Sequence, residues 1–242
     1  MARKRLYSLD QNFFEIINTE EKAYWLGFLY ADGYITVSST GQHTLGLKLS
    51  QNDLSHLIKY AKALQTNRPI KNRSSQTKYG LIHSCDLIVS SKKIVLDIEN
   101  KGCFFKKSLI LQFPTEKQVP NNLISHFIRG YFDGDGSVFL HSCKTKNNNY
   151  QYLGISICGT LEMLQGIKNN LTFIGDDSNI IYPDYRHIGR NIFSLKMLSN
   201  IRSQSFYNYI YSNATIFLDR KKEIFDKHLD VLNQVRYSSV VV

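Results

Sequence analysis

Trp25-Leu-Gly-Phe-Leu-Tyr-Ala-Asp-Gly33 and Ile128-Arg-Gly-Tyr-Phe-Asp-Gly-Asp-Gly136 are two copies of one pattern: small residues four apart, then an acid, then glycine. On a helix, residues four apart share a face. Gly27 and Ala31 in the first copy, and Gly130 and Gly134 in the second, therefore make stripes cleared of side chains. Two such stripes let helix axes approach closely, by the steric logic of small-xxx-small pairs in membranes. These four residues are the expected helix interface.

Gly33 and Gly136 suit the left-handed position just past a helix, which places Asp32 and Asp135 in the last helical turn. A carboxylate there meets the partial negative charge of the helix C-terminus. Two such ends brought together would set acid beside acid, so a cation is required. Hard divalent ions such as Mg²⁺ fit, because they keep several waters and use one or two carboxylates with substrate phosphates.

Working outward, each copy is followed by the same succession of elements. In the first, strands are expected at Tyr34 to Val37 and Thr44 to Ser50, and a helix at Asp53 to Leu64 with Asp53 near its cap. Strands near Pro69 to Arg73 and Leu81 to Val89 follow, then a helix at Lys92 to Asn100. The second copy repeats this at Ser137 to His141, Tyr152 to Cys158, Leu161 to Leu171 (capped by Thr160), Asn179 to Tyr182, Asn191 to Met197 and Asn200 to Ser212. Leu45-Gly-Leu-Lys-Leu and Leu153-Gly-Ile-Ser-Ile alternate as half-buried antiparallel strands do. The fold class is α+β, an αββαββα unit used twice. Two prolines in Phe113 to Pro120 mark 113–120 as a linker between halves at 1–112 and 121–242.

The 242 residues carry 30 Lys+Arg against 20 Asp+Glu, a formal charge of +10 spread along the chain, which favours a polyanionic partner. Cys85, Cys103, Cys143 and Cys158 are widely spaced, with no CxxC, and read as reduced thiols rather than a zinc site or disulfide framework. No apolar run approaches the roughly 18 residues a membrane span needs. The N-terminus lacks a signal-peptide core, so a soluble intracellular protein is expected.

The paired strings resemble those of the LAGLIDADG homing endonuclease family in its single-chain, two-motif form. The resemblance extends to Gly102-Cys-Phe-Phe-Lys-Lys-Ser-Leu-Ile-Leu-Gln-Phe-Pro114 and Asn213-Ala-Thr-Ile-Phe-Leu-Asp-Arg-Lys221, which close the two halves. It implies two pseudo-symmetric units packed through the motif helices, each laying a four-stranded antiparallel sheet in the major groove. It further implies a monomer that hydrolyses both strands of double-stranded DNA at a long asymmetric site, leaves short 3′ overhangs, and serves intron homing. The cofactor implied is Mg²⁺, with Mn²⁺ or Ca²⁺ able to substitute in binding.

Carried onto this sequence, the resemblance implies a metal-binding set of Ala31, Asp32, Gly134 and Asp135 and catalytic basic residues Lys107 and Lys221, with Lys106 and Lys222 as register alternatives. Gln51 matches a polar, water-holding position whose second-half counterpart falls near Gly159, so unequal sites are expected. Asp133 stands where the first motif has Tyr30, and reads as structural or water-contacting rather than a third ligand. Lys48, Arg68, Lys71, Arg73, Lys78, Lys144, Lys146, Tyr182, Arg186 and Arg190 are the candidate DNA contacts, grouped within the third and fourth strand regions of both halves. A catalytically silent relative acting as an RNA splicing maturase or regulator is the alternative. A calcium loop counted from Asp133 fails at Lys144, and an intein is disfavoured by both chain ends.

Overall fold

A computed structural model describes residues 5–78, 80–144, 149–174, 180–187 and 189–238. The chain forms two compact units. The first is Met1–Lys107 with Pro114–Gly130, and the second is Ser108–Phe113 with Tyr131–Val242.

The first unit opens on α1 (Glu20–Asp32), capped by the Thr19 hydroxyl, with Glu20 and Glu21 in its first turn where a helix favours acids. All eight residues from Ala23 to Tyr30 are buried. A helix covered on every side is an interior helix. Strands β1 (Gly33–Val37), β2 (His43–Ser50), β3 (Lys71–Thr77) and β4 (Gly80–Ser90) form an antiparallel sheet in the order β1-β2-β4-β3. Leu45, Leu47 and Leu49 pair with Val89, Leu87 and Cys85 and make its core face, against which α2 (Leu54–Ala63) and α3 (Lys92–Asn100) pack. Thr44, Lys48, Lys71, Arg73 and Asp86 alternate onto the opposite, open face.

Helix α4 (Ile124–Asp135) leads into β5 (Gly136–Lys144), β6 (Asn149–Gly159), β7 (Ile180–Pro183) and β8 (Phe193–Leu198), with order β5-β6-β8-β7. Leu153, Ile155, Ile157, Leu195 and Met197 are its core face, covered by α5 (Leu161–Asn169), α6 (Asn200–Tyr211) and α7 (Asp219–Ser238). Each motif helix is thus followed by the expected ββαββα order, and α7 is an addition that the sequence alone did not suggest. Among the described residues no helix is long and apolar enough to cross a membrane. Cys85, Cys103 and Cys158 are free thiols.

Candidate functional site

The end of α1 departs from the expected cap. Gly33 has φ −70° and ψ 151°, so it is extended, not left-handed, and already the first residue of β1. Its glycine requirement is steric: a Cβ would lie 2.6 Å from Leu29 Cδ2 and 2.7 Å from Leu29 O. Gly136 repeats this, where a Cβ would overlap the Phe132 ring. Each strand starts by folding straight back across the last helical turn, and only hydrogen fits there. Asp32 and Asp135, the preceding residues, are both exposed.

Each helix end is held by a buried lysine. Lys107 is 8% exposed and its Nζ donates to Ala31 O at 3.0 Å. Lys221 is 6% exposed and donates to Phe132 O at 2.7 Å and to Asp133 O and Gly136 O at 2.6 Å. An ammonium on the terminal carbonyls offsets the dipole that made these positions unfavourable for the neighbouring carboxylates. The register alternatives sit elsewhere. Lys106 is exposed at φ 55°, and Lys222 pairs with Asp226 at 2.8 Å and the Tyr207 hydroxyl at 3.1 Å.

The unlike sixth motif positions do one job. Tyr30 donates its hydroxyl to Lys101 O, just past α3. Asp133, 1% exposed, accepts from Tyr211 Oη at 2.7 Å and Leu218 N at 2.8 Å, at and beyond the end of α6. Both tie a motif helix to the segment that closes its half, so Asp133 is structural.

Gly130 packs directly on α1, where a Cβ would overlap Tyr24 O and crowd Phe28 N. Beside it Arg129, 1% exposed, donates to Glu20 at 2.6 Å and lies over the Tyr24 ring. Gly27 is buried, while Ala31 and Gly134 are half-buried. Asp32 belongs to the first unit and Asp135 to the second.

Strand register corrects the counterpart of Gln51. Gly33 pairs with Leu47 and Gly136 with Ile157; Ser90 pairs with Thr44 and Leu198 with Gly154. Both ladders align Leu47 with Ile157, and hence Ser50 with Thr160, each an N-cap. Gln51 therefore corresponds to Leu161, two residues beyond Gly159. The similar strings at 45–49 and 153–157 are two residues out of register, a slip that period two conceals because it keeps every side chain on its face.

No family model matches the sequence, and no curated protein matches it. Solved structures do match. The I-LtrWI LAGLIDADG homing endonuclease bound to target DNA aligns over 93% of this chain and 92% of its own, with a TM-score of 0.60 at 11% identity. Meganuclease I-SmaMI bound to uncleaveable DNA aligns over 89% and 92%, with a TM-score of 0.62 at 12% identity. I-GzeII in complex with its DNA target aligns over 97% and 94%, with a TM-score of 0.56 at 14% identity. The chain has the LAGLIDADG homing endonuclease fold.

Lys48, Lys71 and Arg73 stand on the open face of the first sheet, and Lys78 lies in the β3–β4 turn. Arg68 is half-buried over the Tyr7 ring. Tyr182 is on the open face of the second sheet; Arg186 and the exposed Arg190 follow β7. Lys144 ends β5, and Lys146 lies outside the described residues.

Sequence reasoning missed Lys196, whose Nζ stands 5.5 Å from the Tyr182 ring centroid, although its place between Leu195 and Met197 marks it for the open face. It also missed Tyr34, whose ring lies across Gly46. Burial, then Asp86, raises the Tyr34 phenol above its ordinary value.

Among the described residues no three His, Cys, Asp or Glu side chains gather to hold a metal. Each motif helix offers one exposed carboxylate. A lone carboxylate does not suit a closed zinc cage; it suits a hard divalent ion that keeps its waters and completes its shell with phosphates.

Proposed function

We propose that this chain is a site-specific, divalent-metal-dependent endonuclease that cuts both strands of double-stranded DNA at a long asymmetric target and leaves short 3′ overhangs. One observation carries the reading: both motif helices end in an exposed aspartate with a buried lysine on the terminal carbonyls, on a fold shared with solved homing endonucleases bound to DNA. Residues 1–112 and 121–242 act as the two subdomains joined by 113–120, and the chain works as a monomer.

Asp32 and Asp135 would each hold a divalent ion at its own helix end, and such ions would polarise the scissile phosphate, favour hydroxide and stabilise the leaving 3′ oxygen. Ala31 and Gly134 contribute only backbone beside them. The two lysines divide the work unequally. Lys221 presents all three donors to carbonyls and so positions the helix end, whereas Lys107 makes one such bond among the described residues and keeps donors for a phosphate. Gln51 can orient a water in one half; Leu161 at the matching place cannot.

The test is a randomised-site plasmid library cut with Mg²⁺ and, separately, with EDTA. Linearised members with Mg²⁺ alone support the reading. A library left intact while the chain still binds nucleic acid tightly, unchanged by Asp135→Asn, would replace it with a silent binding protein.

A further inference from the structure

Each unit carries an arginine tied to a buried aspartate, the first pair on the open face of its sheet and the second just past the end of β7. In the first unit Asp86 is 2% exposed, on the inner strand β4, with Lys48 and Lys71 directly opposite on its two neighbours. Its Oδ2 accepts from Arg73 Nε at 2.9 Å, and its Oδ1 is buried with no hydrogen-bond partner among the described residues. In the second unit Asp184 is 5% exposed and accepts from Arg186 Nε at 3.0 Å and Nη2 at 2.6 Å. The Arg73 and Arg186 side chains remain 49% and 64% exposed.

The positions correspond. Arg73 pairs with Ser84, and Asp184 bonds Ile192, which the ladders align with Ser84. The same place in each unit holds one member of the pair, with the charges exchanged.

We propose that Arg73 and Arg186 each read a guanine edge in the target duplex, and that Asp86 and Asp184 are the positioning residues that aim them. The inference rests on the DNA-binding reading above. A carboxylate on the Nε side orients the guanidinium and leaves its outer edge free, a hydrogen of Nη1 and the second hydrogen of Nη2, and these two donors match guanine O6 and N7. Fixing the head in advance also removes the ordering cost of a long side chain on binding.

Phosphate is the poorer ligand here. The buried carboxylate beside each guanidinium offsets its charge and repels a second anion. Lys48 and Lys71, exposed on the flanking strands, suit the phosphates instead.

The experiment is a binding selection on randomised duplex with the full chain and Ca²⁺, comparing wild type with Arg73→Lys, Arg186→Lys, Asp86→Asn and Asp184→Asn. The lysine variants keep the positive charge against the aspartate, and thermal melting confirms that each folds. The expected result is guanine preference at two positions. Each lysine variant should lose its own position by roughly ten- to a hundredfold and leave the rest of the profile intact. Each asparagine variant should weaken the position of its own arginine.

Uniform loss across all sequences with a shallower salt dependence would mean phosphate contacts and would overturn the proposal, as would an unchanged profile. A wild-type chain that selects no duplex at all would instead remove the DNA-binding reading beneath it.

Discussion

Asp133 and Asp135 stand two residues apart on α4 and face opposite fates. Asp135 is exposed, so Asp135→Asn should leave stability within about 0.5 kcal/mol while abolishing cleavage. Asp133 is buried between the Tyr211 hydroxyl and the Leu218 amide. Asp133→Ala should cost about 1–3 kcal/mol for each group left unsatisfied, read from the urea midpoint. The opposite pattern would exchange their assigned roles. Asp184 gives a pH signature: its hydrogen bond from Arg186 holds the carboxyl down to about 2. A depressed carboxylate contributes stability above its unfolded value, ~3.9, and loses it as pH falls through the folded value. The melting difference between wild type and Asp184→Asn should therefore persist from neutral pH to about 4 and disappear near 2.

Among the elements, the contact of α4 on α1 is the tightest test of the cleared-stripe argument, because Gly130 meets backbone that cannot rotate away. Gly130→Ala should cost about 1–3 kcal/mol by overpacking, and calorimetry of the purified variant would check it. A neutral change would mean that the helices separate easily. Much of this level was legible. Lys92 to Asn100 is α3 as read, and Thr160 caps α5 by accepting from Met163 N. Other features were not, for identifiable reasons. Glycine after a helix usually signals a left-handed turn, and only the immediate start of β1 explains why Gly33 is extended. The two-residue slip between the units is invisible to a period-two pattern. Helix α7 was hidden because its first residues, Asp219-Arg-Lys-Lys-Glu, are charged, with Phe225 the first fully buried residue after Lys221. The Arg73–Asp86 pair depends on register across 13 residues, which composition does not encode.

At the scale of the whole molecule, a charge of +10 and two open sheet faces bearing lysine and arginine predict strong dependence of DNA affinity on salt. A protein making six to ten phosphate contacts loses about 10³ to 10⁵ in affinity between 50 and 200 mM salt, so a titration over that range should be steep. The two halves should nonetheless not cut alike. Gln51 sits in the turn after β2, half-buried, and offers an amide that can hold a water; Leu161, at the matching position after β6, offers only hydrocarbon. Lys107 keeps donors that Lys221 commits to three carbonyls. Both differences favour the half built around Asp32, so nicked intermediates should accumulate with one strand cut first. Losing one water-orienting hydrogen bond, worth about 1.4 kcal/mol in the transition state, changes a rate about tenfold. Gln51→Leu should therefore slow the faster strand by roughly that factor and bring the two rates together, while Leu161→Gln should accelerate the slower one. Strand-specific end-labelling of a single duplex measures both. Equal rates in the wild type, or a Gln51→Leu variant that slows both strands alike, would show that the asymmetry of these residues is not carried into the chemistry.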